Sequence, residues 1–589
     1  MKNVYKSVIT GAVALIVAGC GGGGNDTSTG GDNPAPTAQS LQLSGTAAIG
    51  AALANSSVEV KCATGSGSAT TNANGTYSLT ITGAVLPCLI QVTGSADGTS
   101  VTLHSVTEAG AGTTAGATTS AVANVTPMTE MIVAQLVGAI PADLFATFGA
   151  DSLANVTQAN LATATTTILT ALNTATGIDF GAIDPFKATL VAATESAPNQ
   201  GNAYDQLLDD LKEKVPAEAL PLIINQIATA SSTTGGTPPI TLADVMAGID
   251  GGSLPGCPSA ISGKFRTIDY WGRTLVRQID FKTMKFNDAN GQPLFDITAD
   301  SQKPCEFTAT GISNGAQRQI DVAMGTSGAG AYRSQNLSNG GSVIGYIFPV
   351  QSHPVSAIAG GWTYLQSGYL PHDGVGHFFG KVTFNSNNSV YFCDCNPGNN
   401  WACEGDIETD QVVARADGGF DVIADGDVND SVPMYAYRAP NGSLTIFGTT
   451  NPQGISVDNT KEQTSFVAVK LQPSTLPAVG FVTKYQDIGL TRVNSVNSTS
   501  FGSPGQLDVI AVDSANGSFT RLRLSDNRQD TIRINNPLTG LRLRPAGSWN
   551  GQSFPEIIQM PLPGLGLVAS VNSPPSTQSL HLYNITVVR

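Results

Sequence analysis

Apolar and polar positions change period three times along the chain. From residue 41 to about 101 they alternate in short runs, LQLSGTA, SSVEVKC and GTYSLTI, separated by small-residue turns, and Asn74-Gly75 marks a tight hairpin. Residues 102–124 are rich in Gly, Ala and Thr, keep no period and read as a linker. From 125 the period becomes helical. Thr126-Pro127 gives an N-cap followed by proline at the first helical position, and Met128, Met131, Ile132, Leu136 and Ile140 share a face before Pro141. Leu161, Thr165, Ile168, Leu169 and Leu172 form a second face, and Tyr204, Leu207, Leu208 and Leu211 a third. Asp184-Pro185 and Thr241 read as further helix starts, and Pro141, Pro185, Pro216 and Pro221 keep the helices short, so 125–250 is expected to be a small helical domain. Beyond Gly251 the helical period vanishes and strands run to the end. Ile261-Ser262-Gly263-Lys264-Phe265 recurs as Ile358-Ala359-Gly360-Gly361-Trp362. Each copy is followed by a hairpin, Lys285 to Gly291 and Thr383 to Ser389, as a duplication would produce. Two β units, barrel- or sandwich-like, are expected at 256–350 and 356–589. The predicted class is multidomain and mainly β: a small N-terminal sandwich, a short helical domain and a large all-β remainder.

Composition agrees. At 589 residues the chain exceeds one core and should divide into about three or four domains. With 41% apolar residues it is not disordered, while 12% charged residues and 65 glycines suit an exported β-rich protein. The formal charge of −15 argues against a nucleic-acid partner. After the first twenty residues no run reaches the roughly 18 apolar residues a membrane helix needs.

The first twenty residues set the address. Lys2 and Lys6 form a basic region, Val8 to Val17 an apolar one, and Val17-Ala18-Gly19-Cys20 resembles the lipobox of bacterial lipoproteins. That resemblance implies removal of 1–19, lipidation of Cys20 and an anchor of three acyl chains, effectively permanent at about 0.8 kcal/mol per buried methylene. Residue 21 is Gly, and the family rule then points to the outer membrane. Residues 20–40 hold almost nothing that could enter a core and read as a flexible tether. The stretch from Ser44-Gly45 through Ala51, Leu53 and Val58 to Asn74-Gly75-Thr76-Tyr77 resembles the carboxypeptidase regulatory-like, or transthyretin-like, sandwich, which implies a spacer or adhesion module at 41–101 without catalytic residues. The Asn124-Val125-Thr126-Pro127-Met128-Thr129-Glu130 start directly after it is similar to uncharacterised proteobacterial lipoproteins. Gly360-Gly361-Trp362 resembles the first strand of lipocalin-like barrels.

Eight cysteines are present, and lipidation of Cys20 leaves an odd number. In an oxidising envelope Cys62, Cys88, Cys257, Cys305, Cys395 and Cys403 are the disulfide candidates. Cys62 and Cys88 fall on neighbouring predicted strands and are the first choice of pair; Cys395 and Cys403 flank a tight turn. The remaining connectivity is open.

Six constellations could carry chemistry. Gly311-Ile312-Ser313-Asn314-Gly315 is a G-x-S-x-G motif, and Asp373 and His377 follow Ser313 in the order a hydrolase triad uses, but no alternating β/α pattern surrounds it. His353, His372 and His377, close to Cys393 and Cys395, could ligate zinc or copper. Asp425, Asp427 and Asn429 occupy positions one, three and five of a calcium loop that lacks the usual glycine and glutamate, so calcium is the one cofactor considered. Glu404, Asp406, Glu408 and Asp410 alternate and would share one strand face. Arg521 with Arg523, and Arg542 with Arg544, each put two guanidinium groups on one face, with Arg528 and Arg533 between. They could grip phosphates or an acidic glycan, or pair with the acidic ladder. Trp271, Trp362, Trp401 and Trp549 could offer a sugar platform, although only Trp401 sits among loop residues. The expected function is a non-catalytic binding, adhesion or scaffold role, held to the outer membrane by lipid and facing an envelope polymer or protein partner. A serine- or metal-dependent envelope hydrolase and a barrel carrying a lipophilic ligand are the alternatives.

Overall fold

In a computed structural model, the structure describes residues 40–96, 99–107, 118–149, 152, 154–194, 196–198, 200–232, 238–370, 374–395, 401–404, 410–423, 431–450, 462–493, 496–573 and 580–589. The chain is multidomain and mainly β: its described residues form a sandwich, six α-helices and three closed eight-stranded barrels.

The sandwich packs a sheet of Ser40–Thr46, Thr76–Thr82 and Thr118–Val122 on one of Ser57–Thr64, Ser66–Thr70, Val85–Ala96 and Thr99–Val106. Alternation along Ser40–Thr46 sends Leu41 and Leu43 inward. Cys62 faces Cys88 in register and is bonded to it. The described ends of the expected linker at 102–124 belong to strands of this module. Thr118–Val122 adds a parallel strand to Ser40–Thr46, a pairing that a short Thr-rich run does not announce.

The helices are α1 (Pro127–Val137), α2 (Pro141–Ala146), α3 (Gln158–Thr176), α4 (Ala203–Lys214), α5 (Leu220–Ser231) and α6 (Leu242–Gly251). Thr126 caps α1 through a reciprocal capping box with Thr129, and Thr241 caps α6 in the same way with Asp244. Two expectations change. α1 stops at Gly138, whose left-handed φ of 59° suits glycine, and Pro141 opens α2 instead of only closing α1. Asp184-Pro185 starts no helix: the Asp184 carboxylate accepts from the Phe186 and Lys187 backbone N–H groups and closes a turn. The helices share one continuous apolar core with the sandwich, and Glu130 of α1 accepts from both the backbone and the ring of His104 in the strand Thr99–Val106.

Each barrel is an up-and-down meander whose first and last strands pair, so no long edge stays open. The first runs from Gly263 to Pro349, and its interior holds Phe265, Phe286, Phe295, Phe307 and Val322. Cys257 is bonded to Cys305 and ties the lead-in strand Cys257–Ile261 to this wall. The second runs from Gly360 to Lys470 around Trp362, Tyr364, Phe384, Phe420 and Phe466, with Cys395 bonded to Cys403 and Cys393 left as a buried thiol. The third runs from Val482 to Val588, with Val496–Phe501 folded back as a hairpin on its first strand. The stretch 356–589, expected as one unit, therefore closes twice.

The barrels pack through outward-facing apolar residues. Phe348 of the first stacks on Phe447 of the second at 4.4 Å, and the Tyr346 hydroxyl meets that of Tyr583 in the third at 2.7 Å. Arg438 of the second barrel pairs with Asp143 of α2 at 2.7 Å.

Candidate anion site in the third barrel

Strand alternation gives every barrel wall an inner and an outer face. In the first two barrels the inner face is mostly apolar. In the third the pattern is inverted. Ile488, Leu490, Ile558, Met560, Ala569, Val571 and Ile585 point outward into the shared apolar layer, which turns their neighbours Asp487, Gln559, Ser570 and Asn584 into the lumen. The registers Arg521↔Asp530, Arg523↔Arg528 and Arg542↔Gln559 bring the two arginine ladders onto the same inner wall.

The result is a cavity of about 510 Å³ lined by Arg521, Arg523, Arg528, Arg542 and Arg544, against the carboxylates of only Asp487 and Asp530. Tyr485, Phe519 and Phe554 supply ring surface. Phe481 also lines it and is 55% exposed, so the cavity reaches solvent there.

The guanidinium groups are unequally answered. Arg523 pairs with Asp526. Arg528 donates to Asp530 at 2.9 Å, and Arg521 lies 3.8 Å from the same carboxylate. Asp487 is engaged elsewhere, accepting from Asn584 at 2.8 Å and Thr586 at 2.6 Å. Arg544 donates to the Pro555 carbonyl at 2.7 Å and lies 4.7 Å from the Phe554 ring, with Arg528 4.8 Å from that ring. Among the described residues the Arg542 side chain makes no hydrogen bond and no ion pair; it lies 5.9 Å from the Phe519 ring. The Nε groups of Arg521, Arg528, Arg542 and Arg544 and one oxygen of Asp530 are buried without partners. Burial, reinforced by the like charge of Arg521, pushes Arg542 down to about 10. Burial does the same to Arg544, also to about 10, with Asp530 partly opposing it. Both stay charged at neutral pH, and buried donors of one sign without acceptors are what an anion would satisfy. Guanidinium offers neither a base nor a nucleophile; what these five groups can do is hold negative charge.

The other sequence candidates fall elsewhere. Ser313 ends the strand Glu306–Ser313 and pairs with Ala316 across Asn314-Gly315, whose φ values of 52° and 72° make a two-residue hairpin. The G-x-S-x-G run is thus a β-turn on the first barrel, not a strand-to-helix elbow. His377 belongs to the second barrel, where Nδ1 lies 3.0 Å from the Ser367 hydroxyl and the ring meets His581 edge-on at 5.9 Å. The structure does not bring Ser313 and His377 together. His353 is buried beside Gln351 at 3.0 Å. Burial pushes both histidines down to about 3, with help from Arg438 at His353 and His581 at His377. His372, Asp373, Asp425, Asp427, Asn429, Asp406 and Glu408 lie outside the described residues, as does Cys20. Among the described residues no three His, Cys, Asp or Glu side chains gather as metal ligands would. Trp362 is fully buried in the second barrel, Trp271 packs on Tyr270, Trp401 on Phe379, and Trp549 donates to the Asp526 carbonyl, so they form no common platform. Among the described residues the carboxylate partners of the arginine ladders are Asp526 and Asp530. Arg533 points outward and is exposed. A second depression, about 670 Å³ over the threonine face of α3, is lined by Ala, Thr and Leu without a charged group.

No helix among the described residues is long and apolar enough to cross a membrane. No family model and no curated protein matches the chain. Among solved structures it is similar to a mutant of the vaccine antigen Transferrin Binding Protein B from Haemophilus parasuis Hp5, with 8% identity over 56% of this chain and 75% of that one and a TM-score of 0.18. Intact Ap-TbpB, with its N and C lobes, gives 8% identity over 54% and 67% and a TM-score of 0.16. A DUF3598-family protein of unknown function from Nostoc punctiforme gives 10% identity over 40% and 96% and a TM-score of 0.14. At these scores the likenesses carry no argument about what this chain binds.

Proposed function

We propose that this chain is a lipid-anchored, outer-membrane, non-catalytic binding protein whose third barrel takes an anionic ligand into its lumen. The single observation that carries the binding role is the set of five guanidinium groups around one cavity, with Arg542 and Arg544 in ion-pair contact with no carboxylate among the described residues. The cavity volume falls in the range of ordinary small-molecule sites. The anchor rests on the Lys2 to Cys20 pattern, and the sandwich and helices act as the spacer between that anchor and the barrels.

Titration calorimetry of the soluble chain from Ser40 onward with inorganic phosphate, sulfate and citrate at low ionic strength tests the ligand class. Binding is expected for at least one anion, to weaken with salt, and to weaken at least about tenfold in Arg544→Met, as loss of one charge-assisted contact implies. Equal affinity in wild type and variant removes the site. Anchorage is tested separately: Cys20→Ala is expected to move the full-length protein from the membrane pellet to the soluble fraction.

A further inference from the structure

The mouth of the cavity differs in kind from its wall. Phe481, which lines the cavity, is 55% exposed, and around it in the chain and across the ladder Val479, Val482 and Ile510 are 64%, 49% and 39% exposed. Backbone bonds hold them close together. Gly480 N–H donates to the Val509 carbonyl at 2.8 Å and Val509 N–H to the Phe481 carbonyl at 2.9 Å, which clamps the 478–482 segment along the strand Gly505–Asp513. The ladder slips between Val509 and Ala511, where it turns Ile510 out beside this segment while Val509 stays in the cavity wall. Phe481 is both exposed and part of the cavity lining, which also holds Pro477 and Phe519 together with the arginines.

A simple inorganic ion would use only the inner part of this arrangement. Resting on the anionic-ligand reading above, we propose that the ligand is an amphiphile with a phosphate monoester head and an aliphatic tail, the head seated against Arg542 and Arg544 and the tail leaving over Phe481 and Val479. The head is assigned as a dianion because Arg523 is answered by Asp526, and Arg521 and Arg528 share Asp530, which among the described residues leaves two guanidinium groups without a carboxylate in ion-pair contact. Guanidinium forks match the paired oxygens of a phosphate. The tail is assigned from the exposed rim, since contiguous apolar surface beside a polar cavity marks a binding surface.

The probes are octyl phosphate below its micelle concentration, inorganic phosphate and octyl glucoside, titrated into the soluble chain. Octyl phosphate is expected to bind at least about 30-fold more tightly than phosphate, the gain from covering part of an eight-carbon tail. Arg542→Met should weaken both phosphates, whereas Phe481→Ser, at an exposed position that leaves folding intact, should shrink the ratio between them. Equal affinity for octyl phosphate and phosphate overturns the amphiphile and leaves the anion reading standing. Equal affinity for octyl glucoside and octyl phosphate overturns the phosphate head. Binding to phosphatidic acid vesicles without binding of octyl phosphate in solution overturns it in favour of a bilayer-docking face. Failure of every probe, with both variants folded by circular dichroism, removes this inference and the anion reading together.

Discussion

Replacing Arg542 by methionine should stabilise the ligand-free protein. A buried guanidinium without acceptor or carboxylate pays desolvation that nothing returns. The size follows from its ionisation. Burial and the neighbouring Arg521 bring the group well below an ordinary guanidinium, to about 10, which at 1.36 kcal/mol per tenfold is a penalty of about 3 kcal/mol. A partly exposed side chain keeps some solvent screening, so about 1–2 kcal/mol is the working figure. The sign runs one way. A base whose folded value lies below its unfolded value destabilises the fold at every pH where both states are charged, and the penalty fades only as pH rises above about 10. Methionine has similar length and would lie among Phe519 and Ile534, the latter its register partner. Scanning calorimetry at pH 7 should therefore show the variant melting several degrees higher.

The same substitution at Arg333 provides the contrast. Its Nε and Nη2 both contact Asp321, a carboxylate that is only 7% exposed. Arg333→Met strands that charge and should cost about 2–3 kcal/mol, with Thr308 and Gln319 softening the loss through their own bonds to Asp321. If Arg542→Met is instead destabilised by more than about 1 kcal/mol, the guanidinium is compensated in the free protein and the lumen is not waiting for an anion. A saturating anion at a hundred times its dissociation constant should raise wild-type stability by about 2.7 kcal/mol and the variant by much less.

Two further outcomes follow from the buried groups and crosslinks. His353 and His377 are held near 3 in the fold while an unfolded chain protonates them near 6.5. Stability is full above 6.5 and falls as pH drops toward 3, by about 2 kcal/mol per histidine between pH 7 and pH 5. Urea midpoints across that range should show this slope, and His353→Gln with His377→Gln should flatten it; an unchanged slope would assign the acid sensitivity elsewhere. The Cys257–Cys305 bond closes a sequence separation of 48 residues. Replacing both cysteines with alanine should lower stability by about 2–4 kcal/mol in urea, toward the lower end if the denatured chain stays compact, and an unaltered midpoint would mean the first barrel is fixed by its phenylalanine interior alone.

How much of this was legible in the sequence depends on what period can carry. The switch from alternation to helical spacing at Thr126 and back after Gly251 was visible because each period is local, as were the caps at Thr126 and Thr241. Where strands close on themselves is a non-local fact. Nothing between 356 and 589 says that Trp362 pairs with Lys470 and so ends one barrel before the next begins. The strand Thr118–Val122 was hidden for the same reason: it is defined by its partner Ser40–Thr46, not by its own five residues. The arginine ladders were legible as ladders, and two arginines per face was the right reading. Their direction was not. An Arg-Leu-Arg-Leu run looks the same whether the arginines face water or a lumen, and only the pairing of Leu543 with Ile558 on the outer, apolar side decides it. Asp530, Tyr485 and Phe554 were missed because register alone assembles them.

That inversion has an energetic consequence that separates the third barrel from the other two. The first and second are filled by large aromatic clusters and can hold themselves closed. Inside the third, the apolar cluster reduces to Val509, Phe519 and Ile532 with a few partly buried neighbours, too little to offset its chain entropy. Its outer face supplies the difference: Ile488, Leu490, Ile558, Met560, Val571, Tyr583 and Ile585 are buried in the layer shared with the other modules. A barrel stabilised from outside is free to leave its lumen polar, and the arginine cavity is affordable only because the rest of the chain is packed around it. Expressed alone, residues 472–589 should therefore fail to give the cooperative unfolding transition seen in the full chain, while the isolated first barrel, with Cys257 and Cys305 intact, should retain one. A folded, anion-binding fragment of the third barrel would show that the outer face is dispensable and that the cavity owes nothing to its neighbours.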